Sequence, residues 1–398
     1  MSESIDLLIV DYRIEGFNRY AVGLCHEIHK IQPGLKIAAC YMKDAEPKEI
    51  NGFSKVFCAK DYNYDASKIL EKYRPKAVLT FAHRFFDYLF TTKAHEKRLY
   101  VYNFQHGLYM DSTVISDLSA NSLVSAYKNK KEKLDIYLKC SLNLCEHRFK
   151  AICKFTSLFL KKKSLYVVMN EMFGSQCNAD ISYIYGDYWK TYYTQKYLET
   201  SGEYLVVGYP ELEGNVEVIS LELFKERKKP VLCYLAQTSV EDGVLDEVVM
   251  TTFIERLKKL VVNYNLLIKF HPRSNRAMYA SLLAKEGVAV WDKNAFPKAD
   301  LYIGHESTIM ARALSITSKT LVCRLLANRI SPFEIYTPYL IMPEENLSDS
   351  VAVALDAAET KSNISEYAFW NKAEGAIAAT AQDMMCRYSK YAISNNNT

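Results

Sequence analysis

The sequence lacks the short motifs that mark several common catalytic and metal sites. It contains no GxxxxGK[ST], no GxGxxG, no HExxH and no quartet of cysteines and histidines at zinc-site spacing. These absences disfavour P-loop ATP hydrolysis, redox chemistry on a Rossmann-bound dinucleotide, and structural zinc. No DxD-like motif stands at a strand end either. We therefore predict no metal and no other cofactor.

The chain also lacks a disulfide pattern, a long apolar run and a strong charge of one sign. Its ten cysteines are scattered without a CxxC pair, which indicates reduced thiols in a cytoplasmic protein. The amino terminus has no basic region of the signal-peptide kind. No uncharged run approaches the ~18 apolar residues of a membrane-spanning helix. A net charge of +4, from 50 basic and 46 acidic residues, predicts no nucleic-acid partner.

The chain is long enough for two α/β domains with a cleft between them. It has 398 residues, of which 49% are hydrophobic, and this exceeds what one ordinary core holds. Short apolar runs alternate with helical stretches, a pattern typical of a parallel sheet. We predict an N-terminal domain at 1–215, a linker at 216–229 and a C-terminal domain at 230–363. Residues 364–398 are predicted as a tail and a helix that crosses back onto the first domain.

The predicted strands are short apolar runs that end in polar or turn residues. In the first domain they are IDLLIVDYR, LKIAACYM, SKVFCA, AVLTFA, LYVYNF and runs within ADISYIYGDYWKTYY and EYLVVGYPELEGN. In the second domain they are VLCYLAQ, NLLIKFH, VAVWD, DLYIGH, TLVCRL and YLIMP. The carboxyl ends of parallel strands share one edge, and ligands bind at that edge of an open α/β sheet.

Residues 114–164 have a different character, with long amphipathic and basic stretches. Lysine runs at 128–133 and 161–163 flank apolar residues. One interpretation is a pair of solvated helices that cover the sheet. The other is contact with an anionic membrane surface or a lipid-linked partner, because lysines beside exposed apolar residues favour that interface.

A histidine and two cations follow the strand NLLIKF of the second domain. Pro272 imposes an extended conformation on His271, which directs the imidazole out of the sheet edge. Lys269 and Arg273 add positive charge on either side. This group is suited to bind phosphate oxygens or to donate to a leaving phosphate.

The strand DLYIG is followed by a second candidate for phosphate binding. His305, Ser307 and Thr308 stand between this strand and a predicted helix. A serine or threonine at that place often only caps the helix. The backbone N–H groups of the same helix end also suit a nucleotide phosphate. We expect this end and His271 to converge on one anion.

Acidic side chains follow the strand VLCYLAQ. Gln237 ends that strand, and Glu241 and Asp242 come next. Adjacent carboxylates point in different directions, so at most one is expected to face the cleft as a base or nucleophile. The alternative is a pair of solvated acids at a helix start. In the first domain, His106 is the best candidate to meet them, with Asp111 a lesser one.

These motifs together resemble glycosyltransferases of the GT-B architecture, in which two Rossmann-like domains face each other across a cleft. The order Gln237, Glu241-Asp242, His271-Pro272 and Ser307-Thr308 is similar to the Kdo transferases of bacterial capsule and O-antigen assembly. The resemblance implies transfer of Kdo, an ulosonic acid, from CMP-Kdo to a surface glycan such as capsule, O-antigen or lipopolysaccharide. It further implies retention of configuration, with Asp242, or Glu241, as the nucleophile.

Two related groups share part of the pattern. Bacterial sialyltransferases and polysialyltransferases, which use CMP-sialic acid, have the His-Pro and Ser/Thr motifs, but their acidic motif lies in the amino-terminal domain. Here that place holds Gln105-His106-Gly107. Teichoic-acid-type polyol-phosphate transferases, which would use a CDP-polyol, pair a His-Gly strand tip with a later His-Pro. A non-catalytic module that binds a glycan or nucleotide is a further alternative.

The resemblance also implies where the protein works and what it meets. The first domain would bind a glycan acceptor, which in one version is lipid-linked, and the second would bind the CMP-activated sugar. The expected location is the cytoplasm, with peripheral contact at the inner face of the inner membrane through the lysine runs at 128–133 and 161–163.

Overall fold

The computed structural model describes most of both predicted domains. The described residues are 4–18, 20–43, 49–81, 84–107, 139, 153, 157, 170–171, 173–196, 199, 202–213, 216–224, 228–242, 245–305, 307–325, 340–341, 346–358 and 375–396. Asp111, both lysine runs and nearly all of 114–164 lie outside them, so the predictions made there stay predictions.

The described chain forms two compact units. Unit 1 takes in the described residues within Met1–Gly107, Lys131–Pro210 and Glu366–Thr398, and unit 2 takes in those within Glu211–Ser365. Each unit has its own parallel sheet and its own apolar core. The α/β prediction is confirmed.

Unit 1 is built on a seven-stranded sheet. Its strands are β1 (Leu7–Asp11), β2 (Ile37–Tyr41), β3 (Lys55–Cys58), β4 (Ala77–Phe81), β5 (Tyr100–Phe104), β6 (Ile181–Ile184) and β7 (Glu203–Val206). They lie in the order β3-β2-β1-β4-β5-β6-β7, and all neighbours are parallel. Every residue of β1, β2 and β4 is buried, which is why these strands, apart from Asp11 and Thr80, are apolar instead of alternating.

Unit 2 has a six-stranded parallel sheet and a small two-stranded one. Its strands are β8 (Val216–Val218), β9 (Val231–Leu235), β10 (Asn265–Lys269), β11 (Val288–Val290), β12 (Phe296–Lys298), β13 (Leu301–Gly304), β14 (Thr320–Cys323) and β15 (Leu340–Ile341). The larger sheet has the order β11-β10-β9-β13-β14-β15, and β8 pairs in parallel with β12. The segment predicted as a linker, 216–229, therefore contains a strand of unit 2.

The helices begin and end where their sequences provide caps and apolar spacing. They are α1 (Ala21–Ile31), α2 (Ala66–Tyr73), α3 (Phe85–Glu96), α4 (Asp187–Lys196), α5 (Glu247–Leu260), α6 (Ala280–Leu283), α7 (Thr308–Leu314), α8 (Leu347–Asp356) and α9 (Ala376–Asn396). Asp65 caps α2, Asp246 caps α5 and Asn346 caps α8 through side-chain oxygens that accept backbone N–H groups. No helix in the described part of the chain is long and apolar enough to cross a membrane.

The carboxy-terminal helix α9 belongs to unit 1, and polar contacts fix it there. Tyr183 donates to Asp383 over 2.8 Å, and Tyr388 donates to Asp6 over 3.0 Å. Arg387 binds both carboxylate oxygens of Glu203 at 2.8 Å. Unit 1 therefore contains the two ends of the described chain.

The eight cysteines that the structure describes are all free thiols. Six of them, at positions 25, 40, 58, 177, 233 and 323, are buried. Burial raises the pKa of the Cys25, Cys177 and Cys233 thiols to about 12, so these groups stay protonated and unreactive.

His95 joins α3 to the segment before β6 in unit 1. His95 Nδ1 lies 2.9 Å from the Gln176 carbonyl oxygen, and Nε2 lies 3.3 Å from Asp180 Oδ2. Both partners are acceptors, so both contacts are hydrogen bonds only when the ring is protonated on both nitrogens. Burial opposes the charge, but the hydrogen bonds to Asp180 and Gln176 outweigh it and raise the pKa of His95 above its usual value.

His95→Gln is predicted to lower stability in a pH-dependent way. A raised folded-state pKa contributes stability that is fully present below the ordinary value of about 6.5 and is lost as pH rises through the folded-state pKa. The variant should lose about 1–2 kcal/mol of unfolding free energy near pH 6 and much less near pH 9. Denaturant unfolding at the two pH values measures the difference. His26→Gln, an exposed position on α1, is the control, and equal losses at both pH values would contradict the assignment.

Candidate functional site

The carboxyl edge of the larger sheet in unit 2 collects most of the predicted site residues. The strand order reverses between β9 and β13, since the chain passes from β9 to β10 and β11 on one side and from β13 to β14 and β15 on the other. Ligands of open α/β sheets bind at such a switch point. Gln237 follows β9 and Ser307 follows β13, so they lie on the two sides of this crevice.

Gln237 brings an unused hydrogen-bond donor to the switch point. Its Nε2 atom is buried and has no hydrogen-bond partner among the described residues. A buried N–H group without a partner costs about 1–3 kcal/mol. An acceptor atom on a ligand would remove that cost.

The loop after β9 folds back on itself through Thr238. The backbone N–H of Asp242 donates to the Thr238 carbonyl oxygen over 2.8 Å, and the Thr238 hydroxyl donates to Asp242 Oδ2, also over 2.8 Å. Thr238 is buried. The carboxylate of Asp242 is therefore held in a defined place at the sheet edge.

Arg273 joins this loop to the loop after β10. Its Nη1 atom lies 2.7 Å from Asp242 Oδ1, and its Nη2 atom lies 3.1 Å from Asp242 Oδ2 and from Thr238 Oγ1. The hydrogen bond to Asp242 raises the pKa of Arg273, against an opposing effect of burial. The arginine and aspartate side chains are 44% and 43% exposed, so the pair adds little to stability and water or a ligand can reach it.

Glu241 and Asp242 both bind the loop after β10, but through different partners. Glu241 Oε1 accepts the backbone N–H of Asn275 over 2.5 Å. A carboxylate that is bound by a guanidinium is a weak nucleophile and a weak base in that state. Asp242 would have to leave Arg273 before it could perform either predicted role.

His271 and Lys269 lie on the β10 side of the same edge. His271 is exposed, and its Nδ1 atom accepts the Arg273 backbone N–H over 3.2 Å, which places the proton of the neutral ring on Nε2. Lys269 Nζ donates to the Lys293 carbonyl oxygen over 3.0 Å, and burial lowers the pKa of its ammonium. Arg273 thus contacts His271 through its backbone, whereas the ammonium of Lys269 is bound to the Lys293 carbonyl oxygen.

His305 does not face the crevice in the way the sequence predicted. Its ring is buried, with Nε2 2.9 Å from the Tyr234 hydroxyl and Nδ1 3.0 Å from the Cys323 carbonyl oxygen. Burial lowers the pKa of His305 to about 4, so the ring is neutral and Nδ1 carries its proton. Because both nitrogens are occupied in linking β9, β13 and β14, neither is available for the predicted donor contact in this structure.

The helix that Ser307 precedes is short and packs closely on its strand. Ser307 is the N-cap residue of α7, which has seven residues. A Cβ atom on Gly304 would come within 2.4 Å of Met310 Sδ, so glycine permits this close packing. Glu306 and the side chain of Thr308 lie outside the described residues. Phosphate binding by Ser307 and Thr308 stays a prediction.

His106 belongs to unit 1 and lies at the end of β5. Its ring packs edge-on against Tyr20, with 5.5 Å between ring centroids. Gln105 is buried and accepts the Tyr185 backbone N–H over 2.9 Å, and Gly107 has a φ of 80°, in the left-handed region that favours glycine. The hydrogen bond of Gln105 and the backbone conformation of Gly107 thus define the turn that carries His106.

A charged cluster in unit 1 was missed by the sequence analysis. Asp11 at the end of β1, Arg84 at the start of α3 and Asp87 in its first turn form a buried group of ion pairs. The one available signal was a carboxylate directly after the apolar run LLIV. The partner could not be read from sequence, because Arg84 lies 73 residues away.

Comparisons with known proteins identify the fold. No protein-family model matches the sequence, and no curated protein matches it. Among solved structures, MnaA of S. aureus with UDP is 12% identical, with a TM-score of 0.55 over 98% of this chain and 97% of that one. UDP-GlcNAc 2-epimerase of Methanocaldococcus jannaschii, with UDP-GlcNAc and UDP, is 10% identical, with a TM-score of 0.53 over 96% and 99%. The calicheamicin glycosyltransferase CalG4 is 9% identical, with a TM-score of 0.49 over 98% and 94%.

These likenesses define the class of fold, with matches along nearly the whole chain. The protein has the GT-B fold, with two Rossmann-like domains. The predicted fold class is confirmed. At identities of 10–12%, the likeness concerns the fold alone.

Two histidine variants are predicted to separate structure from ligand contact. His305→Ala should lower the unfolding free energy by about 2–4 kcal/mol, because it leaves a cavity and unpaired polar groups among three strands. His271→Ala, at an exposed position, should change it by less than about 0.5 kcal/mol. Denaturant unfolding at pH 7 measures both. Equal small effects would contradict the structural role of His305.

Proposed function

We propose that the protein is a glycosyltransferase whose nucleotide-sugar donor binds at the switch point between β9 and β13. The observation that carries this proposal is that the unused buried N–H donor of Gln237 and the exposed guanidinium of Arg273 belong to loops at one sheet edge of a GT-B fold. An amide N–H and a guanidinium can both donate hydrogen bonds to the phosphate oxygens of a nucleoside monophosphate or diphosphate.

Donor binding and the Asp242–Arg273 pair are coupled in this proposal. A phosphate presents two oxygens to a guanidinium with the same bidentate geometry as a carboxylate. The donor phosphate would displace Asp242 from Arg273, and Asp242 would then be available near the sugar. In a retaining reaction, Asp242 attacks the anomeric carbon and the phosphate leaves with the electron pair of the broken C–O bond. The acceptor hydroxyl then attacks the same carbon, Asp242 leaves as a carboxylate, and the hydroxyl proton passes to the released phosphate. In an inverting reaction, Asp242 takes the proton of the acceptor hydroxyl while its oxygen attacks the anomeric carbon and the phosphate leaves.

The finer version of the proposal is a CMP-activated ulosonic acid, with Kdo first and sialic acid second. It is supported by the order of Gln237, Glu241-Asp242, His271-Pro272 and Ser307-Thr308, which resembles the Kdo transferases. The acceptor would be a bacterial surface glycan, and membrane contact through the lysine runs belongs to the same version.

A UDP-sugar enzyme of the 2-epimerase kind is the second candidate. It is favoured by the solved structures that share the fold, since those from S. aureus and Methanocaldococcus jannaschii are described with UDP or UDP-GlcNAc. An epimerase would convert UDP-GlcNAc without an acceptor. A transferase needs one.

Nucleotide-dependent stabilisation is predicted to identify the donor class. A ligand at 100 times its dissociation constant adds about 2.7 kcal/mol to the stability of the folded state. We expect CMP, at saturating concentration, to raise the melting temperature by several degrees more than UDP or GDP. Preferential stabilisation by UDP would contradict the CMP version, and incubation with UDP-GlcNAc would then test for epimerisation. Stabilisation by no nucleotide would contradict the proposed function.

Asp242→Asn is predicted to change binding and turnover in opposite directions. Removal of the carboxylate leaves Arg273 free for the phosphate, so nucleotide should bind about three- to tenfold more tightly, or about 0.7–1.4 kcal/mol. Turnover should fall about a hundredfold or more, because the nucleophile or base is lost. Calorimetry and a nucleotide-release assay measure the two effects.

The control for Asp242→Asn is Asp356→Asn, the same change at an exposed position at the end of α8. It should alter neither quantity. Weaker nucleotide binding by Asp242→Asn would show that the carboxylate helps to build the site instead of competing for it. Unchanged turnover would rule out both catalytic roles.

A further inference from the structure

The first sheet has its own switch point, between β1 and β4. The chain passes from β1 to β2 and β3 on one side and from β4 to β5, β6 and β7 on the other. Asp11 is the last residue of β1, and Arg84 follows β4 as the N-cap residue of α3. Two charged side chains thus lie at the place where an open α/β sheet receives a ligand.

One carboxylate oxygen of Asp11 accepts two hydrogen bonds, and the other accepts none from the described residues. Oδ1 accepts from Arg84 Nη1 and from the backbone N–H of Tyr12, each over 2.5 Å. Oδ2 is buried and has no hydrogen-bond partner among the described residues, in a residue that is only 2% exposed. A buried carboxylate oxygen without a donor is costly, and such atoms are rare in folded proteins.

The charges around Asp11 favour a ligand that donates a hydrogen bond. Arg84 is shared with Asp87, whose Oδ2 accepts from Arg84 Nε over 2.9 Å. Two carboxylates therefore share one guanidinium. Burial raises the pKa of Asp87 to about 7, although Arg84 opposes the shift. The group has an excess of acceptors, which disfavours an anion and suits a hydroxyl.

A partly exposed aromatic side chain, Tyr12, directly follows Asp11, and it is backed by the buried ring of Phe86. Tyr12 is half-buried and stacks on Phe86, with 5.9 Å between ring centroids, and the Arg84 guanidinium lies 4.3 Å from the centroid of Phe86. Binding sites for small polar molecules combine aromatic walls with a few placed polar groups. The apolar face of a sugar ring packs on an aromatic side chain while its hydroxyls find acceptors.

A short turn covers the unused oxygen in this structure. The 3-10 helix Ile14–Asn18 passes over Asp11, and a Cβ atom on Gly16 would lie 2.4 Å from Oδ2. Glycine is therefore the residue that this close approach requires. A ligand hydroxyl would need this turn to shift before it could reach Oδ2, and a larger side chain at position 16 would block the same approach.

From this geometry we infer that Asp11 Oδ2 is the hydrogen-bond acceptor for a hydroxyl of a sugar bound at the carboxyl edge of the first sheet. Arg84 is a positioning residue that holds the carboxylate, and Tyr12 supplies the apolar contact. The assignment of this sugar to the acceptor of the transfer rests on the proposed function.

The test is direct binding of simple sugars, without any nucleotide. The methyl glycosides of galactose, glucose and N-acetylglucosamine are titrated into the full chain and followed by saturation-transfer NMR. We expect at least one to bind to the wild type, and Asp11→Asn to weaken that binding about tenfold or more, about 1.4 kcal/mol. Asp65→Asn is the control, because asparagine caps a helix as well as aspartate does and α2 should be unaffected.

Gly16→Ala provides a second variant, which keeps both charged residues of the Asp11–Arg84 pair in the sequence and places a methyl group against the Asp11 carboxylate. Its methyl group should block Oδ2 and weaken sugar binding as Asp11→Asn does, so the inference stays testable even if Asp11→Asn does not fold. A wild type that binds none of the three glycosides overturns the inference. Wild-type sugar affinity in a folded Asp11→Asn or Gly16→Ala protein also overturns it.

The inference and the proposed function can fail separately. Nucleotide titrations of the wild type test the donor site of unit 2, and the glycoside titrations test Asp11 in unit 1. Where both hold, Asp11→Asn should raise the KM for the acceptor about tenfold and leave the nucleotide Kd at its wild-type value. An unchanged KM for the acceptor would contradict the assignment of Asp11 to it.

Discussion

The parallel pairing of β9 with β10 and β13 brings the loops that carry the predicted site residues of unit 2 to one edge of the sheet. Leu235 pairs with Lys269 of β10, and Tyr234 pairs with Ile303 of β13, so the three strands end at nearly the same level. The loops that leave them must then start side by side. The contacts of Asp242 with Arg273 and of Glu241 with Asn275 are consequences of this register.

An aspartate and an arginine meet at the carboxyl edge of each sheet, but their surroundings differ. In unit 2, the Asp242 and Arg273 side chains are 43% and 44% exposed, and this exposure is the basis for the proposed replacement of the carboxylate by a phosphate. In unit 1, the Asp11 and Arg84 side chains are 4% and 22% exposed, so their pair persists and only one carboxylate oxygen remains for a ligand. The two pairs therefore differ in burial, and we expect a ligand to displace the carboxylate only in the exposed Asp242–Arg273 pair.

The fold class predicted from the sequence is confirmed, whereas the predicted roles of the site residues remain untested. Buried parallel strands appear as unbroken apolar runs, and the runs in both domains correspond to strands of the two sheets. The strand β8 was missed because it is only three residues long, Val216–Val218, with a charged central residue. The predicted linker, 216–229, therefore included this strand.

The site residues show what a motif can and cannot reveal. His271 and His305 both follow strands, so the sequence does not distinguish them. In the structure His271 is exposed, whereas His305 is buried and bound to Tyr234 and Cys323. The contact between Asp11 and Arg84 joins two strand ends that are distant in sequence, and only the strand order brings them together. The roles assigned to Asp242, His271, Ser307 and Thr308 remain predictions.

The most direct test of the central claim is a crystal structure of the protein with CMP bound. The account predicts phosphate oxygens within about 3 Å of Arg273 and of Gln237 Nε2. It also predicts that Asp242 has left the guanidinium. A nucleotide bound elsewhere, or an Asp242–Arg273 pair that stays intact with the phosphate in place, would contradict it.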